Sequence, residues 1–386
     1  MIILDEKGWM CMKKPERIFV IGHKNPDTDS ICSAIAYADI KNRTTQNKKY
    51  IPKRAGQINE ETRYVLNRFG VQPPAYLGNI GTQVKDMDIR ISPQADKNMS
   101  LKNTWDLMQE NGIVSLPIRD KDGCLEGLVT IGDIAKTYMD TTDSYLLSNA
   151  RTQYQRIAET VGGEVVEGNG HGYFVKGRVL VGTANPKMLE GYVEEDDMII
   201  MGDREEDHLQ AISQNVSCII VGLNIVVSEK VIKLAHEKNI VIIRSPYDTF
   251  NIARLINQSI PVSFVMKRDN MVTFNTEDFT DDIQDVMIKN RHRAFPVINP
   301  HGKCIGTISR RNFLDMHKKK VVLVDHNEVD QAVDNIEKAE ILEIIDHHKL
   351  GTLQTMTPVA FRNEPVGCTG TILYDCLLYT SDLPTI

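Results

Sequence analysis

No pair of cysteines is spaced CxxC in this sequence, no apolar stretch approaches membrane length, and basic residues are not in surplus. Each absence excludes something. The seven cysteines, Cys11, Cys32, Cys124, Cys218, Cys304, Cys368 and Cys376, are odd in number and scattered. That argues against a disulfide framework and a thiolate zinc site, and fits reduced thiols. A membrane span needs about 18 apolar residues or more, yet the longest run, Cys218 to Val227, is broken by Gly222 and Asn224. Met1 to Met12 carries Asp5, Glu6 and Lys7, so it lacks the apolar core of a secretory signal. Met12, followed by Lys13 and Lys14, is an alternative start. A net charge of −7 and a pI near 5.8 argue against a chain that coats nucleic acid. The expectation is a cytoplasmic protein with neither a membrane nor a nucleic-acid partner. Its 386 residues, 41% of them hydrophobic, allow two to three domains of about 150 residues and a sizeable core.

A gapless internal repeat is present. Met87, Met108, Pro117, Gly123, Gly127, Thr130 and Asp133 correspond to Met266, Met287, Pro296, Gly302, Gly306, Ser309 and Asn312, each 179 residues later. Each copy reads as a helix (Trp105 to Asn111; Ile283 to Asn290), a strand containing Pro-Ile or Pro-Val, a Gly turn, a second strand (Gly127 to Thr130; Gly306 to Ser309) and a helix starting near Asp133 or Asn312. The strand–Thr/Ser–x–x–Asp/Asn–helix ending resembles the CBS domain, whose motifs pair and bind adenine nucleotides between them. The resemblance implies ribose or phosphate contacts at Thr130, Asp133, Ser309 and Asn312, and a phosphate contact at Arg293. Such residues are also ordinary helix caps.

Between the copies, Val161 to Gly182 reads as a Gly-rich hairpin. An alternating stretch follows: strand Met198 to Met201, helix Asp207 to Gln214, strand Cys218 to Val221, helix Glu229 to Lys238 and strand Ile240 to Ile243. That pattern predicts a small parallel α/β unit. Its position resembles that of a DRTGG domain, although Asp203-Arg204 is followed here by Glu205-Glu206.

The chemistry lies outside this stretch. Three apolar strands end abruptly in His and Asp: Ile18 to Ile21 before Gly22-His23-Lys24-Asn25-Pro26-Asp27-Thr28-Asp29-Ser30, Val321 to Val324 before Asp325-His326-Asn327, and Ile341 to Ile345 before Asp346-His347-His348. Buried β-branched strands alternating with helices, such as Ser30 to Ile40, imply a parallel sheet covered on both faces. Ligands bind such sheets at the carboxyl ends of the strands, so the three clusters should converge. Imidazoles and carboxylates without thiolates suit Mn, Co or Fe(II). Their number exceeds the need of one ion, which points to two metals and hydrolytic phosphoryl chemistry.

These residues resemble the DHH phosphoesterase superfamily. Within it, NPDTDSICSAIAYA is similar to family II inorganic pyrophosphatase, and the CBS–DRTGG–CBS insert to its nucleotide-regulated form. The resemblance implies that His23 and Asp27 bind one metal, that Asp29 and His347 bind a second, and that Asp325 bridges both. His348 would face the diphosphate and Asp346 would orient an imidazole. It implies Mn2+ or Co2+ at the protein site, Mg2+ with the substrate, and hydrolysis of diphosphate to two phosphates by a metal-bridged hydroxide. AMP, ADP or a dinucleoside polyphosphate would regulate the reaction, and the protein would be a homodimer.

The expected division is a DHH domain in two parts, 1–70 and 320–386, split by CBS 1 (71–140), a DRTGG-like domain (141–250) and CBS 2 (251–319). The family has a further metal-binding Asp and a second lobe, DHHA2, with cationic clamps for diphosphate. Here the sequence departs from the family from about residue 375, and the expectation is a truncated chain with little activity. Two other readings stay open: another DHH phosphoesterase acting on oligonucleotides or polyphosphate, and a nucleotide sensor without catalysis.

Overall fold

A computed structural model describes residues 2–4, 10–12, 16–139, 143–182, 191–314 and 316–381. The fold is mixed α/β, in two compact units. One comprises Met1–Asp88, Asp278–Val286 and Phe313–Ile386; the other comprises Ile89–Glu277 and Met287–Asn312. Among the described residues no helix is long and apolar enough to cross a membrane.

The first unit is built on a six-stranded parallel sheet. Its spatial order is Ala360–Asn363, Glu340–Asp346, Lys320–Val324, Glu16–Ile21, Lys48–Arg54 and Ala75–Tyr76. The sheet therefore continues past residue 70. Alternate side chains of the central strands enter different cores: Ile18, Val20, Val322 and Val324 on one face, Ile21, Val321 and Leu323 on the other. This two-residue period with both faces buried is why these strands read as unbroken apolar runs. Helix Thr28–Thr44 contributes Ala34, Tyr37 and Ala38 to the first core, and helix Thr369–Ser381 adds Ile372 and Leu373. The second face is closed by Ala332, Val333 and Ile336 around short 3₁₀ turns. Strand order reverses between Glu16–Ile21 and Lys320–Val324, the switch point where open α/β sheets form a crevice.

In the second unit the two repeats give antiparallel strand pairs, Ser115–Arg119 with Leu125–Thr130 and Phe295–Ile298 with Cys304–Ile308. Their helices run Leu101–Glu110 and Thr280–Lys289. The repeats differ at their ends. Thr130 leads into helix Ile131–Met139, whereas Ser309 leads only into a 3₁₀ turn, Arg310–Phe313. There Arg310 donates to the carbonyls of Met287, Asn290 and His292, which ties the turn to the end of the preceding helix.

The middle sheet has five strands. Met198–Met201, Cys218–Val221 and Val241–Arg244 are parallel, as expected; Val179–Val181 joins them as a further parallel strand and Glu164–Glu167 adds an antiparallel edge. The expected hairpin at Val161 to Gly182 does not form. Glu164–Glu167 pairs with Val241–Arg244, Tyr173–Phe174 with Thr152–Gln153, and Val179–Val181 with Met198–Met201. Gly168 and Gly177, with φ of 90° and 93°, turn the chain left-handedly between these segments, sending each strand to a different partner.

Candidate metal centre

His23, Asp27 and Asp29 follow strand Glu16–Ile21, Asp325 follows Lys320–Val324, and Asp346 ends Glu340–Asp346, so all lie at carboxyl ends of adjacent strands. Gly22 permits the turn after the first strand: a Cβ there would stand 1.9 Å from Ser30 Oγ. That same oxygen accepts the His23 N–H at 3.1 Å. Asp27 is the N-cap of helix Thr28–Thr44 and accepts the Ser30 N–H at 2.9 Å. Capping and a ligand role are compatible, since a carboxylate has lone pairs for both.

Asp325 is the hinge of the arrangement. It is 1% exposed and adopts the left-handed φ of 65°, unusual for a residue with a Cβ. The turn presents its two oxygens to different imidazoles. Oδ2 lies 3.3 Å from His23 Nε2, and Oδ1 lies 3.5 Å from His347 Nε2. Asp27 is 3.8 Å from His23 Nε2, and Asp29 is 3.9 Å from His347 Nε2. The donor atoms of His23, Asp27 and Asp325 lie within 4.8 Å of one another, as do those of Asp325, His347 and His348. The Nδ1–H of His347 donates to the Val366 carbonyl at 3.1 Å, which leaves Nε2 with the lone pair for the cluster. Two imidazole nitrogens and two carboxylates around one shared carboxylate fit divalent cations of N/O preference.

Behind this set, Asp346 is fully buried. His348 Nδ1–H donates to it at 2.8 Å, the His347 and His348 N–H groups donate at 2.8 and 3.2 Å, and Asn327 donates to its other oxygen. Burial pushes the Asp346 carboxyl up, but these bonds outweigh it and hold the group below the usual carboxylate range. His348 is correspondingly raised, because the bond and charge of Asp346 outweigh its desolvation. Asp325 is pushed up, first by burial. His326 donates from Nδ1 to the Val324 carbonyl at 3.0 Å, its Nε2 is buried without a hydrogen-bond partner, and burial lowers its pKa to about 4.

Sequence reasoning missed Asn327 as the partner of Asp346, and Thr369 and Gly370, whose N–H groups donate to Asp29. A Thr-Gly pair opening an apolar helix signals free N–H groups in need of an acceptor, but nothing local names that acceptor.

The nucleotide candidates are placed less compactly. Thr130 and Arg293 line one cavity of about 420 Å³ with Lys267, Arg291 and His292. Asp133 pairs with Lys267 at 3.3 Å. Ser309 and Asn312 are not in that lining. Both pairs also cap locally: Asp133 accepts from the Thr130 N–H and hydroxyl at 2.9 and 2.6 Å, and Asn312 from those of Ser309 at 2.7 and 2.9 Å.

A family model described as DHH family, N-terminal domain, matches residues 17–385. The cobalt-dependent inorganic pyrophosphatase of Clostridium perfringens is 40% identical over 357 residues, 92% of this chain and 65% of that protein. The probable manganese-dependent inorganic pyrophosphatase of Thermotoga maritima is 37% identical over 367 residues, 95% of this chain and 67% of that protein. This chain thus spans about two thirds of the length of these relatives. A crystal structure of the CBS and DRTGG domains of the C. perfringens pyrophosphatase regulatory region, complexed with its activator diadenosine tetraphosphate, superposes with a TM-score of 0.57 and 32% identity, covering 59% of this chain and 100% of that one. With its His/Asp strand ends and its repeat-flanked α/β insert, the chain belongs to the DHH family, among the family II inorganic pyrophosphatases that carry a CBS–DRTGG regulatory region.

Proposed function

We propose that this chain supplies the metal centre and the regulatory region of an inorganic diphosphatase dependent on Mn2+ or Co2+. The observation that carries the reading is the Asp325 carboxylate, each oxygen of which faces a different imidazole, His23 or His347. In this reading His23, Asp27 and Asp325 hold one cation, and Asp29, His347 and Asp325 hold a second. Bound divalent cations supply Lewis acidity toward phosphoryl oxygens and lower the pKa of a water molecule. The residues do the rest. The hydrogen bond and charge of Asp346 raise the pKa of His348, the imidazole that faces the anionic diphosphate in this reading. Asn327 and the His347 and His348 N–H groups fix Asp346 and thus the aim of His348. Mg2+ accompanies the substrate.

The basic cavity of Lys267, Arg291, His292 and Arg293 beside Thr130 suits the phosphates of AMP, ADP or a dinucleoside polyphosphate. Ser309 and Asn312 are the counterparts of Thr130 and Asp133 in the second repeat. A five-part division with later boundaries near residues 140, 250 and 319, a homodimer and a cytoplasmic location belong to the same proposal.

Phosphate release from magnesium diphosphate is the test. The protein is loaded with Co2+ or Mn2+ and assayed alone and in a form extended to the length of its C. perfringens relative. Turnover that needs the transition metal and disappears in Asp325→Ala is expected. An extended, metal-loaded protein that cleaves oligonucleotides or polyphosphate but leaves diphosphate intact would overturn the proposal.

A further inference from the structure

Helix Thr369–Ser381 begins against the candidate metal ligands. The Thr369 N–H donates to Asp29 Oδ2 at 2.7 Å, and the Gly370 N–H donates to Asp29 Oδ1 at 3.0 Å. The fully buried Thr369 hydroxyl donates to Asp325 Oδ1 at 3.0 Å. The first N–H groups of any helix lack an internal acceptor. Here a carboxylate from a segment 340 residues earlier takes the place of the N-cap. Asp29 itself lies in the first turn of helix Thr28–Thr44, where the Ser33 hydroxyl also donates to it at 3.1 Å. The positive ends of two helices thus bear on one carboxylate, offsetting repulsion among Asp27, Asp29 and Asp325.

We propose that Thr369 is a positioning residue of the metal centre. Through one N–H and one hydroxyl it holds Asp29 and the His347-facing oxygen of Asp325 at a fixed separation. Asp325 Oδ2, which faces His23, has no such bond from Thr369, so the two halves of the centre are supported unequally. The hydroxyl serves the half built from Asp29, His347 and Asp325 Oδ1. A helix cap alone needs no hydroxyl on Asp325. The inference rests on the metal-centre reading above.

The test is titration of Co2+ into the metal-free full chain, followed by calorimetry and by the visible absorption of the bound ion. Thr369→Val should weaken Co2+ binding by about 10- to 100-fold, the usual effect of removing a hydrogen bond to a ligand, and should change the absorption band. Thr369→Ser should restore both, whereas a residue that only packs the helix start would leave affinity and spectrum unmoved. Thr369→Ala, which adds no volume, gives the same reading if the valine variant does not fold. Wild-type affinity and spectrum in Thr369→Val or Thr369→Ala would overturn the inference, as would a serine variant no better than valine. Failure of the wild-type chain to bind Co2+ or Mn2+ would overturn the metal-centre reading and this inference with it.

Discussion

Asp325 combines a left-handed backbone with a buried carboxyl group. Each is unfavourable in the metal-free protein. Strained φ/ψ costs on the order of 1–3 kcal/mol, and burial raises the pKa of the carboxyl. A carboxyl whose folded pKa exceeds its unfolded value loses stability as pH rises through that interval, so at neutral pH the ionised group is a liability. Asp325→Asn should therefore be as stable as wild type without metal, or more stable by about 1 kcal/mol, while losing the stabilisation that Co2+ or Mn2+ gives wild type. Urea unfolding with and without metal measures both; a large loss of stability in the metal-free variant would contradict the argument. The neighbouring His326 has the opposite sign. Its folded pKa of about 4 lies below the unfolded value of 6.5, so its neutral form is favoured on folding. That contribution is complete above about pH 6.5 and is lost as pH falls toward 4, by roughly 3 kcal/mol at most. In His326→Asn the fall in metal-free stability between pH 7 and 5 should be shallower than in wild type; equal slopes would assign the pH dependence to other groups.

At the scale of elements, the site is a set of strand ends pinned to helix starts. Gly22 is a tight junction of this kind. An alanine methyl would stand 1.9 Å from Ser30 Oγ, the acceptor of the His23 N–H. Gly22→Ala should cost roughly 2 kcal/mol or more, in the range of overpacked cores, and weaken metal binding through His23. Thermal melting together with Co2+ titration reads the two effects, and an unaltered melting temperature would show that the turn relaxes freely. Further along the same helix, Tyr37 donates to Glu343, which Lys41 also holds at 2.8 Å. The contact joins the Asp29 helix to the Asp346 strand. Tyr37→Phe leaves Glu343 with Lys41, so its expected cost is only about 1 kcal/mol. A much larger loss in urea unfolding would mean that Lys41 does not support Glu343 alone.

At the scale of the whole molecule, two compact units carry two different kinds of candidate site. Calorimetric unfolding should show two transitions. Co2+ at 100 times its Kd should stabilise the unit of the His/Asp cluster by about 2.7 kcal/mol, and chelation should reverse this. AMP or ADP should raise the other transition, and Arg293→Ala should weaken that nucleotide effect about tenfold or more without moving the metal-sensitive one. A single transition shifted equally by both ligands would show one cooperative unit instead. Any effect of nucleotide on activity then requires that it bind two conformations with different affinity.

The sequence by itself determined which residue types stand at the strand ends, because an apolar run stopped by His and Asp leaves little choice about what is buried and what is presented. It also determined the register of the repeat and the parallel strands of the middle unit, where local period and β-branched content agree. The helix expected after Asn312 shrank to a 3₁₀ turn, and the strands around Gly168 and Gly177 found distant partners, because pairing answers to tertiary packing as well as to local pattern. Only the tertiary structure decided that the strand order reverses between Glu16–Ile21 and Lys320–Val324, that Asp325 turns left-handedly to divide its oxygens between His23 and His347, and that Asp29 caps the helix opened by Thr369. Most of these contacts join segments about 300 residues or more apart. No periodicity or propensity encodes them, since they are fixed only when the strands pair and the buried N–H groups and carboxylates must find partners in one another.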